Sequence, residues 1–346
     1  MLLHIKKLQN QLKKEQFDSI LVSSPANIRY LSGFTSEECW LLITQKRCFF
    51  LGDFRYILQA KEQVHPFFEI KKTDHSVFRT LAELAESEKL GSIYFEPRHI
   101  NYSQYSLFIQ TLPKKVRFLP AAGLIEKMRI IKSDAEIDLI KKAVLIVKKT
   151  LKTIKPFIKP GISELTIKNK LEIILKDNGS ASPAFDIIVA SGTNAAMPHA
   201  VTTTRKIKPN EPVIIDIGAT YKGYKSDLTR TFFSGKISQY VEYYKLLATA
   251  QDRAIKLVRP QVMIQSLDKQ ARAVLSKQGL NQYFGHALGH GVGLEVHEAP
   301  YISGKNKQKL QKSMVFTVEP GIYIPNSGGI RLEDMVLVTE KGCEIL

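Results

Sequence analysis

Cysteine is scarce, with three residues in 346. Cys39, Cys48 and Cys343 are odd in number, widely separated and form no Cys-x-x-Cys pair, so they read as reduced thiols of a cytoplasmic protein rather than a disulfide framework. Long apolar runs are also missing. None approaches the roughly 18 residues of a membrane span, and a soluble chain with no membrane partner is expected. The opening stretch, MLLHIKKLQNQLKKEQF, sets Leu2, Ile5, Leu8 and Leu12 at helical spacing among lysines and glutamines. A signal peptide needs an unbroken apolar stretch, so a surface helix is expected there. Acidic residues are in deficit, 33 against 50 basic ones, for a net charge of +17. Such a surplus suits phosphates when the cations cluster. Here they are spread along the chain, and the densest region, 127–176, carries them on helical patterns whose other face is apolar. That predicts a solvated basic surface and no nucleic-acid partner.

The length suits two domains of unequal size, each with its own core. Up to about residue 120, strand-like stretches (SILVSS, WLLIT, CFFLG, GSIYF, VRFLP) alternate with helical patterns at 55–64 and 76–90, the mark of an α/β domain. Ser133 and Glu136 then form a capping-box pattern that opens a long helix to about residue 154. The boundary is placed at 125, giving domains 1–125 and 126–346. The second domain reads as two helices (134–154 and 163–177), strands to about 233, two more helices (238–258 and 264–277), and strands to the end. The order repeats once, so an internal duplication with a crevice between its halves is expected.

Three segments carry unusual chemistry. In VIIDIGATYKGYKSDLTRTFF, Asp216 interrupts an apolar run and Asp227 comes eleven residues later, past a turn at Gly223. Two strands joined by that turn can set both carboxylates side by side, and a buried carboxylate needs a cation or hydrogen bonds. Either Asp alone also fits a strand-end acid paired with Arg230 or capping the turn. In YFGHALGHGVGLEVHEAP, His286 and His290 have helical zinc-motif spacing, but the glycines and the missing Glu after His286 predict an extended segment. A phosphate loop would lack its Lys-Ser/Thr ending. In SMVFTVEPGIYIPNSGGIRLEDMVLVT, Glu319 and Glu333 occupy core-like positions, where each alone also fits a salt-bridged acid. Together, four carboxylates and an imidazole in apolar strands would repel one another without cations, and their charge matches two divalent ions. Oxygen-rich ligation with one His suits manganese, cobalt or iron at least as well as zinc.

With the Asp-x10-Asp pair, the Gly-His-Gly-Val-Gly-Leu-x-x-His-Glu-x-Pro segment, Val-Glu-Pro-Gly and Gly-Gly-Ile-Arg-Leu-Glu-Asp in this order, the chain resembles the pita-bread metallopeptidases. Asn27-Ile-Arg-Tyr-Leu-Ser-Gly-Phe34 and Gly52-Asp-Phe-Arg-Tyr56 resemble the proline-specific branch, aminopeptidase P and prolidase, with its creatinase-like N-terminal domain. The fold implied is α/β (α+β): that small domain, followed by a pita-bread domain with pseudo-twofold duplication. The resemblance implies two divalent metal ions per subunit, manganese first with cobalt, iron or zinc as alternatives. Asp216 would bind one ion, His290 and Glu319 the other, and Asp227 and Glu333 both. Glu319 would also move a proton, His199 and His297 would contact the scissile peptide, and His286 would line the proline side. Arg331 is either an internal counter-charge or a contact for a substrate carboxylate. Tyr301 stands where many prolidases carry an arginine, which favours Xaa-Pro aminopeptidase over Xaa-Pro dipeptidase, the alternative. A homodimer acting on short proline-containing peptides is implied. The remaining histidines, His4, His65, His75 and His99, show no ligand-like spacing and read as structural or surface residues. Relatives of this fold that have lost their metals act as binding modules, but all five ligand positions here carry usable ligand types.

Overall fold

Three short apolar runs, Ile20–Val22, Leu41–Ile43 and Phe49–Leu51, are completely buried, as strands covered on both faces must be. They form the middle of the first sheet. The structure, a computed structural model, describes residues 1–36, 38–74 and 76–346 and divides into two units, Met1–Met128 and Arg129–Leu346. His75 lies outside the described residues. Unit 1 runs α1 (Leu2–Lys14), β1 (Ser19–Val22), α2 (Pro25–Ser32), β2 (Trp40–Thr44), β3 (Cys48–Gly52), α3 (Phe54–Gln63), β4 (Phe68–Lys72), α4 (Val77–Ser87), β5 (Ser92–Phe95), α5 (Tyr102–Thr111), β6 (Arg117–Pro120) and α6 (Leu124–Arg129), whose last residue is the first of unit 2. Its strands form one mixed sheet in the order β4-β3-β2-β1-β5-β6. Strand β4 left no clear trace in the sequence, because at the sheet edge only Phe68 of FEIKK is buried. Helix α1 is amphipathic as expected, burying Ile5, Leu8 and Leu12.

Unit 2 begins with α7 (Asp134–Ile154), whose N-terminus is closed by the capping box. The Glu136 carboxylate accepts from the Ser133 N–H at 2.9 Å, and the Ser133 hydroxyl accepts from the Glu136 N–H at 3.4 Å. Next come α8 (Glu164–Asp177), β7 (Ile188–Ser191), β8 (Pro212–Ile217), β9 (Thr220–Tyr221), β10 (Tyr224–Lys225), β11 (Leu228–Phe233), α9 (Ser238–Ile255) and α10 (Ile264–Ser276). The chain ends with β12 (Gly289–Gly291), β13 (Glu298–Ile302), β14 (Val315–Val318), β15 (Gly321–Ile324), β16 (Gly328–Arg331), β17 (Asp334–Val338) and β18 (Cys343–Ile345). Two sheets, β11-β8-β7 and β13-β12-β14-β17-β18, and the β9/β10 and β15/β16 hairpins carry the strands.

The repeated order extends to backbone detail. In the first half, Gly161 N–H donates to Ile207 O and Ile207 N–H donates to Ile162 O, at 2.8 and 2.9 Å. In the second half, Gln261 N–H donates to Leu310 O and Leu310 N–H donates to Val262 O, at 2.9 and 2.8 Å. Both turn residues, Gly161 and Gln261, have positive φ, +89° and +70°. Each half thus enters its second helix through the same turn.

Glu164, at the start of α8, is fully buried. Its carboxylate accepts from the N–H and hydroxyl of Ser191, the Asn194 amide, and the N–H and hydroxyl of Thr203, at 2.7–3.1 Å. It is the tie between α8 and the loop that carries His199. Removing it unpairs five donors, three of them on the buried Ser191 and Asn194, and bonds to a charged acceptor are worth about 1.5–3 kcal/mol each. Glu164→Ala is therefore expected to lower the unfolding free energy by about 3 kcal/mol or more in urea denaturation. A loss below about 1 kcal/mol contradicts the assignment.

Candidate metal centre

Asp216 and Asp227 are brought together by a hairpin. Strands β8 and β11 pair antiparallel with Asp216 opposite Thr229 and Ile217 opposite Leu228, which leaves Asp227 one residue before the ladder. The intervening β9/β10 hairpin turns on Lys222 and Gly223, both at positive φ, +47° and +83°. A two-residue turn with both φ positive matches the twist of the flanking strands. The eleven-residue spacing is therefore one strand end, a tight hairpin and the return. Arg230 does not serve either Asp. It binds Asp334 and the Glu333 carbonyl instead.

His290 lies on β12 between Gly289 and Gly291, in an extended segment as expected. A side chain at Gly289 would run into the Thr317 backbone, and one at Gly291 into that of Ala299. Glycine at both positions lets β12 sit between β13 and β14 at the spacing its ladder requires. The His290 N–H donates to the Thr317 hydroxyl at 3.1 Å, which in turn donates to Glu319 Oε1 at 3.0 Å. Nδ1 of His290 faces the Gly291 carbonyl at 3.1 Å. The proton therefore belongs on Nδ1, and Nε2 offers its lone pair 3.3 Å from Glu319 and 3.7 Å from Asp227. Glu333 joins from between β16 and β17, its N–H donating to the Thr229 carbonyl and its carboxylate accepting from the Thr229 hydroxyl at 2.8 Å.

All five side chains line one cavity of about 360 Å³ within unit 2. Candidate ligand atoms within 4.8 Å of one another form three trios: Asp216–Asp227–Glu333, His290–Glu319–Glu333 and Asp227–His290–His297. Asp227, His290 and Glu333 each belong to two trios, and of these the two carboxylates, with two oxygens each, could be shared between neighbouring ions. Burial, and then the surrounding carboxylates, pushes Asp227 and Glu333 well above the ordinary carboxylate range. Burial opposes the charge on Glu319 too, but when the His290 ring is protonated on both nitrogens its hydrogen bond and charge hold Glu319 below its usual value. Oδ1 of Asp216 is buried with no hydrogen-bond partner among the described residues. An orphaned buried carboxylate oxygen beside acids short of positive charge is what a divalent cation would satisfy. The residues fit the metal.

Arg331 is almost fully buried. Its guanidinium donates to Asp216 Oδ2 at 2.6 Å, the Thr229 hydroxyl at 2.9 Å, the Tyr323 hydroxyl at 2.8 Å and the Pro198 carbonyl at 3.1 Å. These bonds commit it inside the protein, the counter-charge alternative of the two read from the sequence. His286 is also fixed. Its ring lies 2.8 Å from the Ala287 carbonyl and 3.1 Å from the Tyr323 hydroxyl, and burial lowers its pKa. His199, His297 and Tyr301 are exposed at the cavity wall. His297 meets His290 edge to face, ring centroids 4.3 Å apart. Burial and then the neighbouring His290 lower its pKa. Tyr323, Thr229 and Thr317 do not stand out in the sequence. In apolar strands they look like core residues, and only the tertiary pairing shows that they hold Arg331, Glu333 and His290.

The models of two known families match: the creatinase/prolidase N-terminal domain over residues 4–131 and metallopeptidase family M24 over residues 138–340. The chain belongs to metallopeptidase family M24. It is 38% identical to the "Uncharacterized peptidase YqhT" of Bacillus subtilis, covering 98% of this chain and 96% of that protein. Among solved structures it resembles an Xaa-Pro dipeptidase from Bacillus anthracis (TM-score 0.96, 36% identity, 99% of this chain and 96% of that one). An X-Pro aminopeptidase from Thermotoga maritima is similar as well (TM-score 0.90, 34% identity, 99% and 96%). As an M24 member the chain is a hydrolase of a metal-dependent family. No helix among the described residues is long and apolar enough to cross a membrane.

Asp227 sits in two of the three trios, and among the described residues no lysine or arginine forms an ion pair with it. Asp227→Asn is expected to lower metal content and hydrolytic activity together, measured by elemental analysis and peptide assay. Full activity with unchanged metal content contradicts a metal role for the cluster.

Proposed function

We propose that this M24 enzyme removes an N-terminal residue from short peptides whose second residue is proline, using two divalent ions, manganese first, held by Asp216, Asp227, His290, Glu319 and Glu333. The observation that carries the reading is the pair of trios sharing Glu333, with an orphaned Asp216 oxygen, in one cavity with two exposed imidazoles. Bound there, the ions would supply Lewis acidity and lower the pKa of water. The chain's own residues do the rest. Glu319 accepts the proton of the attacking water and passes it to the leaving amine. His199 and His297 hydrogen-bond the scissile carbonyl as charge develops on its oxygen. His286, its ring fixed by Ala287 and Tyr323, lines the side that receives proline. Support comes from the similarity to the Xaa-Pro dipeptidase of B. anthracis and the X-Pro aminopeptidase of T. maritima. The reduced, unpaired cysteines support a cytoplasmic location. The homodimer rests on the family resemblance.

His199→Ala and His297→Ala are expected to lower turnover by about 2.7–4 kcal/mol of transition-state stabilisation each, with metal content near wild type. Metal loss in His297→Ala would make it a ligand, in line with its trio with Asp227 and His290. Undiminished turnover in both variants contradicts their roles.

The second reading, an Xaa-Pro dipeptidase, shares the catalytic centre and differs in the group bound beyond proline. Tyr301 faces His290 across the β12/β13 ladder and is 52% exposed at the cavity. A phenol donates one hydrogen bond and lacks the charge of an arginine clamp on a free carboxylate. Arg331, already committed to Asp216, is not spare. The aminopeptidase reading therefore expects kcat/KM for Xaa-Pro-Yaa at least equal to that for Xaa-Pro, with Tyr301→Arg shifting preference toward the dipeptide. A wild-type enzyme at least about tenfold better on the dipeptide, roughly 1.4 kcal/mol, makes dipeptidase the correct assignment.

A further inference from the structure

His297 has an exposed imidazole with no hydrogen bond among the described residues, and its one ring neighbour is His290. Its direction is therefore set by the backbone on either side. The next residue, Glu298, is buried, and two equally buried cations meet its carboxylate. Lys132 Nζ binds Oε1 at 2.6 Å, and Arg129 binds Oε2. The same Arg129 reaches Glu295 at 2.8 Å, and the Glu295 N–H points at Glu298 Oε2 at 3.4 Å. A side chain at Gly293 would meet Oε1 at 2.6 Å, so the carboxylate fills the inside of the loop between the two histidines. At the ladder, Glu298 lies opposite Gly291, where the register shifts beside His290.

We propose that Glu298, clamped by Arg129 and Lys132, is the positioning residue that aims the His297 imidazole at the scissile peptide. This rests on the reading of His297 given under the proposed function. A merely structural ion cluster would predict lower stability and independent effects on turnover. A clamp acting through His297 predicts effects that merge, because residues working as one unit are non-additive.

The test is a double-mutant cycle on the full-length, manganese-loaded enzyme with an Xaa-Pro-Yaa peptide. His297→Ala is expected to lower kcat about 100-fold, and Glu298→Gln at least about tenfold, with KM and manganese content near wild type. Combining them is expected to add less than about twofold to His297→Ala alone. Lys132→Gln, which leaves the Arg129–Glu298 pair whole, is expected to show the same merging with a smaller loss, about threefold, and decides the matter if Glu298→Gln does not fold. Losses that multiply in the double variant, or a fast Glu298→Gln beside a slow His297→Ala, overturn the clamp alone. Full turnover in His297→Ala overturns the catalytic reading and the clamp with it.

Discussion

Four carboxylates, from Asp216, Asp227, Glu319 and Glu333, share one cavity, and among the described residues Arg331 supplies the one guanidinium in its lining. Desolvation and mutual repulsion both oppose their ionisation, and a lone cation bonded to Asp216 answers only part of the charge. Much of unit 2 can be understood as holding this arrangement in place. Thr229 bridges Arg331 and Glu333, Thr317 bridges His290 and Glu319, and Tyr323 bridges Arg331 and His286. Each hydroxyl both accepts and donates, so one neutral side chain fixes two charged or ligating groups without adding to the charge.

Asp216 and His290 stand on strands, and Asp227, Glu319 and Glu333 each lie one residue outside a strand end, which limits their directions. The β8/β11 hairpin brings two acids to one place, glycines 289 and 291 let the strand carrying His290 nest between its neighbours, and Glu319 and Glu333 sit at the ends of paired strands. Two halves that share the turn ahead of their second helix both contribute to the cavity lining, so each half supplies part of the set. Rigid placement matters here because metal chemistry tolerates little misplacement of its ligands.

The acids that line this cavity could be picked out before any geometry because acids among apolar residues break the hydrophobic pattern. Asp216, Glu319 and Glu333 stand out for that reason, and the glycines around His290 exclude the helix its spacing would otherwise suggest. What stayed hidden was whatever keeps the pattern. Tyr323 and Thr317 look like ordinary strand residues, Glu298 looks like part of a motif, and each gains its role only from partners distant in sequence. The same reason hid β4, whose exposed edge lacks a repeating apolar face, and α5, which buries only Phe108 along its length. Arg230 was a reasonable partner for Asp216 by sequence, but strand direction sends it to Asp334.

The central claim is that divalent cations complete this cluster, and it is tested most directly by loading chelator-treated protein with manganese and measuring stoichiometry together with thermal unfolding. The account expects two ions per chain and a melting temperature that rises with free manganese, because a ligand bound only by the folded state stabilises it by mass action. A melting temperature indifferent to manganese, with no ion retained, would contradict it.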